Sequence, residues 1–232
     1  MGTRGRGERR RRLRDRVVAL RRGLPLIALL VVAGCGGGKH ASATTETTAG
    51  GCRSVSPPEA GARTEPKPTR QLDPAKAYDV AIATNCGTFT IRLDAKKAPA
   101  AAASFVSLAR RHYLDRTVFH RIVPGFVIQG GDPTATGTGG PGYLTVDKPP
   151  ASTRYLHGVV AMAKTAAQPA GTSGSQFFVV TADDAQLPPD YAVLGKVVGG
   201  LDVVDKIGQL GDPTTQQPTE TVEIERATVH VS

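Results

Sequence analysis

The sequence predicts a mainly β domain, a closed barrel or a sandwich, between residue 78 and the last residue, 232. Two observations carry this. Strand-length apolar runs recur between turn-forming residues, with 27 Gly and 17 Pro in the chain, and only two stretches in the domain have helical spacing. The runs also fail to alternate with helices as βαβ units would, which argues against a parallel doubly wound sheet.

The segments before the domain are of other kinds. Residues 1–34 hold ten Arg against Glu8 and Asp15, so they carry +8 of the formal +9 of the chain. The remainder is close to neutral and offers no basic stripe for nucleic acid. An apolar run follows, Leu24–Ala33, shorter than the roughly 20 residues that span a bilayer and matching the core of a signal peptide. It ends in "VAGC" (Val32–Cys35), which resembles the bacterial lipobox, where cleavage precedes a cysteine that receives diacylglycerol. Two or more acyl chains hold a protein on a membrane where one does not. Residues 1–34 are therefore expected to be a removed signal peptide and Cys35 to be lipidated. The protein would then be anchored on the extracytoplasmic face of the cell membrane; a plain secretory signal with an incidental Cys, or an uncleaved anchor, is the alternative. Residues 36–72 are Gly, Ser, Thr, Ala and Pro with scattered charge and no hydrophobic period. With Cys35 they read as a disordered tether, 35–72, leaving 73–232 as the folded domain. Cys52 and Cys86 remain as an even pair, able to bridge outside the cytoplasm and so staple the second half of the tether to the domain, with two free thiols as the alternative.

Within the domain, "YDVAIATNCGTFTIRLD" reads as two strands around the turn Asn85-Cys86-Gly87. "APAAAASFVSLARRHY" is the stronger helix, with Pro99 in its first turn and Phe105, Leu108 and Ala109 at i, i+3, i+4. Strands are expected at Val118–Val123, Phe126–Gln129, Gly158–Ala163, Gln176–Thr181 and Val193–Val198. A short helix at Leu201–Ile207 follows, and the alternating "TVEIERATVHVS" closes the chain.

Chemistry-bearing motifs are scarce. "GTGGPG" (Gly137–Gly142) matches a dinucleotide fingerprint in form only, since Pro141 interrupts it and no helix opens after it. "GTSGS" (Gly171–Ser175) lacks the spacing of a nucleophile elbow. The five His (40, 112, 120, 157, 230) and the carboxylates show no metal-ligand spacing, so neither metal nor cofactor is expected. One stretch stands out. "FHRIVPGFVIQGGD" (Phe119–Asp132) sets Arg121 inside an apolar strand run, where an arginine is either solvated or a tool. His120 beside it reads as a structural histidine, since period-2 alternation points it away from Arg121.

That stretch resembles the signature of the cyclophilins, the peptidyl-prolyl cis–trans isomerases. "GTGGPGY", "GVVAMAK", "SGSQFFVVT" and "YAVLGKVVGGLDVVDKI" are similar to further blocks of the family, all in its order, over about Tyr78–Ser232. With the lipobox and tether, the form resembles an actinobacterial lipoprotein. The resemblance implies an eight-stranded antiparallel barrel, closed and capped by two α-helices, with an active groove on its outer surface. It implies proline-containing polypeptides as partners, and the chain is expected to be a monomer. By the same match Arg121 is the central catalytic residue, with Phe126 and Gln129. Phe126, Met162, Phe178 and Leu187 form the apolar proline pocket, and Ala163, Lys164, Gln176 and Tyr191 line the groove. The chain departs from the family in four places. Gln186 stands where many members carry Trp, Tyr191 where they carry His, Leu194 for a Phe and Lys164 for an Asn. Activity is expected to survive these changes, while inhibitor affinity and sequence preference stand open. The rival reading is a proline-binding chaperone module with little turnover, which would need the pocket but not Arg121.

Overall fold

A computed structural model describes residues 51–232. The signal peptide, Cys35 and the first half of the expected tether lie outside the described residues.

The alternating run at the head of the domain becomes a hairpin. β1 (Tyr78–Thr84) buries every second residue and pairs antiparallel with β2 (Gly87–Leu93), Thr84 opposite Gly87. Gly87 has φ +130°, and a Cβ there would lie 2.9 Å from Val203, so the turn requires glycine. α1 (Pro99–Arg110) has proline at its start and buries Ala101, Ala102, Phe105, Leu108 and Ala109. Its N-terminus is capped from a distance: the Asp147 carboxylate accepts from the backbone N–H of Ala100 at 3.3 Å and of Ala101 at 2.6 Å, satisfying donors that a helix start leaves open.

The expected strand at 118–123 is two pieces, β3 (Thr117–Val118) and β4 (Arg121–Val123). There follow β5 (Val127–Gly130), β6 (Thr145–Val146), β7 (Val159–Met162), β8 (Thr172–Ser173), β9 (Phe177–Val180), β10 (Val193–Gly199), α2 (Leu201–Gly208) and β11 (Glu223–Val231). Nine strands form one antiparallel sheet in the order β3-β11-β1-β2-β10-β7-β9-β5-β4, while β6 and β8 pair separately. This corrects the closed eight-stranded barrel. The sheet curls until its two edges, β3 and β4, are supplied by one run of chain, but Phe119 and His120 interrupt that run. No ladder joins β3 to β4, so the ring of hydrogen bonds stays open and the sheet has nine strands.

Inside the curl lies the main core, with Phe89, Phe105, Phe119 and Phe177 fully buried. Phe177 meets Phe105 edge-on at 5.4 Å and Phe119 at 5.9 Å, geometries that aromatic quadrupoles favour. A second, smaller apolar group, with Val127, Tyr155, Ala161, Phe178 and Val180 buried in it, packs on the other face of the same strands.

The second half of the expected tether differs from a disordered chain. Cys52 and Cys86 are joined by a disulfide. Asn85 clasps the segment start, donating to Arg53 O at 2.8 Å and to Thr221 O at 2.9 Å, while its own oxygen accepts from Glu223 N. Further along, Gly61 N donates to Pro133 O and Glu65 N to Pro141 O, both at 3.0 Å. Composition suggested disorder because the segment has no apolar period; it docks instead through the disulfide, backbone hydrogen bonds and the side chains of Arg63 and Lys67, which composition does not report.

Candidate active site

Alternation along the strands sorts side chains onto two faces. In β4, Ile122 enters the main core, so Arg121 projects to the opposite face. Register then lines up its neighbours. Arg121 is opposite Gln129, Gln129 opposite Phe178, Phe178 opposite Ala161, and Ala161 opposite Val193. One rib across five strands therefore carries a guanidinium, an amide and an apolar patch in sequence.

Arg121 is half-buried, and burial lowers its pKa from the ordinary value, with Tyr191 acting the other way. Its Nε donates to Gln216 Oε1 at 2.8 Å and its Nη1 to Gln129 Oε1 at 3.5 Å. The amides continue in one direction: Gln129 Nε2 donates to Gln176 Oε1 at 3.0 Å, and Gln176 Nε2 to Gly139 O at 2.9 Å. The far end of this relay is fixed by Asp132, fully buried, whose carboxylate accepts from Thr134 N, Thr134 Oγ1, Gly137 N and Gly139 N at 2.7–3.1 Å. Burial raises its pKa, yet the hydrogen bonds from Thr134, Gly139 and Gly137 outweigh that and hold it below the ordinary carboxylate value. A Cβ on Gly139 would lie 2.1 Å from Asp132 Oδ1, so glycine at this position lets its backbone donor close on the carboxylate.

Beside the relay, Phe126, Ala163, Leu187 and Tyr191 pack with Phe178 in the second apolar group. Tyr191 meets Phe178 edge-on, 5.4 Å between centroids and 88° between planes. Lys164 Nζ sits 5.5 Å from the Tyr191 centroid and donates to Gln168 O at 3.1 Å. A cleft of about 440 Å³ adjoins, lined among others by Gln129, Gln176, Ala163, Lys164 and the loop from Gly137 to Leu144. Arg121, Phe126, Gln129, Ala163, Lys164, Gln176, Phe178, Leu187 and Tyr191 are thus brought to one surface.

Met162 is not. It is 0% exposed and belongs to the main core, on the face opposite Phe178; Val127 occupies the apolar group instead. In the unbroken apolar run "VVAM" no polar residue marks which side faces out. Two other residues escaped the sequence reading. Gln216 orients Arg121 from 95 residues away and sits at φ +59°, a left-handed conformation that costs a non-glycine residue. Tyr155, fully buried, donates its hydroxyl to Tyr191 O at 2.8 Å and accepts from Tyr191 N at 2.9 Å. Neither lies in a recognisable motif. His120 lies between β3 and β4, and burial, partly opposed by Asp132, lowers its pKa. Gln186, exposed at φ +51°, donates its backbone N–H to Asp184.

A half-buried guanidinium is held beside an aromatic, apolar surface on the outside of the curled sheet, an arrangement with room for a compact apolar group next to a charged donor. Residues 79–229 match the family model "Cyclophilin type peptidyl-prolyl cis-trans isomerase/CLD". Peptidyl-prolyl cis-trans isomerase-like 1 of Neurospora crassa is 38% identical over 157 residues, 66% of this chain and 94% of that protein. Peptidyl-prolyl cis-trans isomerase CYP18-2 of Arabidopsis thaliana is 34% identical over 65% of this chain and 93% of its own length. A Cryptosporidium parvum cyclophilin-type isomerase superposes with TM-score 0.61 at 31% identity, covering 66% of this chain and 98% of its own; it has also been solved in the presence of the dipeptide Ala-Pro. The chain belongs to the cyclophilin-type peptidyl-prolyl cis-trans isomerases, enzymes of class EC 5.2.1.8.

Proposed function

We propose that the domain accelerates rotation of X–Pro bonds by presenting Arg121 to the prolyl amide as it twists. Rotation must break amide conjugation, a barrier of about 18–20 kcal/mol that leaves uncatalysed exchange at tens to hundreds of seconds. In the twisted state the proline nitrogen regains lone-pair character. A donor that meets this nitrogen only then lowers the barrier without tightening the ground state. A guanidinium suits the task because it carries charge and several N–H donors and does not accept. A 10⁵-fold acceleration requires about 7 kcal/mol, in reach of one charged donor with good positioning.

The observation that carries this reading is the double tether on Arg121, from Gln216 and Gln129, beside the Phe126–Phe178–Leu187 surface. A proline ring would rest on that surface, and Gln129 and Gln176 would meet the substrate backbone. A passive proline-binding module would need the surface but no oriented cation. In a protease-free isomerisation assay, Arg121→Ala is expected to lose at least tenfold in kcat/KM with the fold intact; equal activity in a folded variant would refute the role.

The site of action follows from the leader. We propose removal of residues 1–34, lipidation of Cys35 and action on extracytoplasmic chains, supported by the "VAGC" sequence and the preceding apolar run. Mass spectrometry of the N-terminal peptide from membranes tests it, and an unmodified Cys35 in a soluble pool would refute anchoring.

A further inference from the structure

The glycine loop is held from two sides. Asp132 gathers Gly137 and Gly139 from within. From without, the segment after Cys52 lies along it: Gly61 N reaches Pro133 O, Glu65 N reaches Pro141 O, and Lys67 Nζ donates to Leu144 O at 2.8 Å. Thr64 is so close that a Cβ on Gly142 would stand 3.3 Å from its methyl. Arg63 fixes the segment to the body by donating to Tyr113 O and Asp115 O, both at 2.8 Å, and Glu65 pairs with Arg111 at 3.5 Å. The segment is therefore a strap with two fixed ends, continuous with β1 on one side and closed by the Cys52–Cys86 disulfide on the other.

The loop it braces is one wall of the substrate cleft, and Gly139 O is the terminus of the Arg121–Gln129–Gln176 relay. We infer that this strap is a specificity-determining part of the enzyme: by holding the Gly137–Leu144 wall it fixes the cleft that receives residues flanking the X–Pro pair. This rests on the isomerase reading above. The disulfide matters because it makes docking intramolecular at both ends. Opening it leaves a chain tethered at one end only, and the docked population falls with the lost effective concentration.

The test uses the protein with its full strap and two kinds of variant, Cys52→Ser/Cys86→Ser and Arg63→Ala, with Arg63→Lys as the conservative control. Hydrogen exchange is followed over residues 137–144, and kcat/KM is measured for two peptides, Ala-Ala-Pro-Phe and Arg-Ala-Pro-Phe. Both variants should speed exchange in 137–144 at least tenfold. They should lower kcat/KM at least threefold for the Arg peptide and less than twofold for the Ala peptide, with Arg63→Lys recovering part of the loss. Faster exchange confined to 51–67, or an equal fall for both peptides, would overturn the inference. If the unaltered protein isomerises neither peptide, the functional reading falls, and the specificity role with it. The exchange data would then still decide whether the strap holds the wall.

Discussion

Tyr155→Phe removes one oxygen and two hydrogen bonds while leaving the ring. The Tyr155 ring stands 6.3 Å from Phe178 and 6.0 Å from Tyr191 between centroids, contacts that phenylalanine retains. The lost hydroxyl was both acceptor and donor to the Tyr191 backbone, at 2.9 and 2.8 Å. Each hydrogen bond contributes about 1 kcal/mol net, and a stranded backbone group costs about 1–3 kcal/mol where water does not replace the partner. Tyr191 is only half-buried, so water recovers part of this and the expected destabilisation is about 2–3 kcal/mol. For a domain of this size that corresponds to a Tm lower by roughly 4–12 °C. Tyr191 also carries the edge-on contact to Phe178, so its release should reduce kcat/KM about 3- to 30-fold through misplacement of the pocket wall. Thermal melts without reductant and a protease-free assay measure both. A stability change under about 0.5 kcal/mol with unaltered turnover would refute the assigned role of the hydroxyl clasp.

Gln216→Ala should lower kcat/KM about tenfold with little change in Tm, because Gln216 is exposed and its side chain serves Arg121; unchanged kinetics would remove it from the site. Gly139→Ala should destabilise by about 2 kcal/mol or more, since its Cβ would overlap the Asp132 carboxylate, and a melt decides this. Stability should also fall with acid in two stages. His120 and Asp132 both have lowered pKa values in the fold, so the unfolded chain binds protons first. Their contributions are complete above the unfolded pKa values and are lost as pH drops below about 6.5 for His120 and below about 4 for Asp132. Denaturant midpoints against pH check the order, and His120→Phe should abolish the first stage. Turnover, by contrast, should be nearly flat between about pH 6 and 9, because a guanidinium does not titrate there; a steep bell would require an acid–base residue.

Much of this was legible where local pattern and geometry coincide. Alternation in β1 and the turn at Asn85-Cys86 follow from period and turn chemistry, and Pro99 opens α1. Arg121 stood out because a charge within an apolar strand run calls for an explanation. Legibility failed where polarity gives no cue or where partners are remote in sequence. Met162 could not be assigned a face because all of "VVAM" is apolar, and its burial in the main core emerges only from the register with Phe177. Gln216 and Tyr155 act over separations of 95 and 36 residues, which no local pattern encodes. The split at Phe119-His120, which makes β3 and β4 separate edge strands, occurs inside a run whose composition favours one continuous strand. The strap was legible only at its Cys52–Cys86 staple; the rest of its docking runs through backbone groups and through Arg63 and Lys67 bonds to carbonyls, which composition does not encode.

The most direct test of the account is to separate binding from rotation at Arg121. NMR exchange on one Ala-Pro peptide, titrated with the wild type and with Arg121→Ala, yields both Kd and the cis–trans rate on the enzyme. The account requires the on-enzyme rate to fall at least tenfold while Kd changes less than threefold, because the guanidinium acts on the twisted amide and the apolar surface on the ring. An unchanged on-enzyme rate with a weakened Kd would make Arg121 a binding residue and contradict the mechanism.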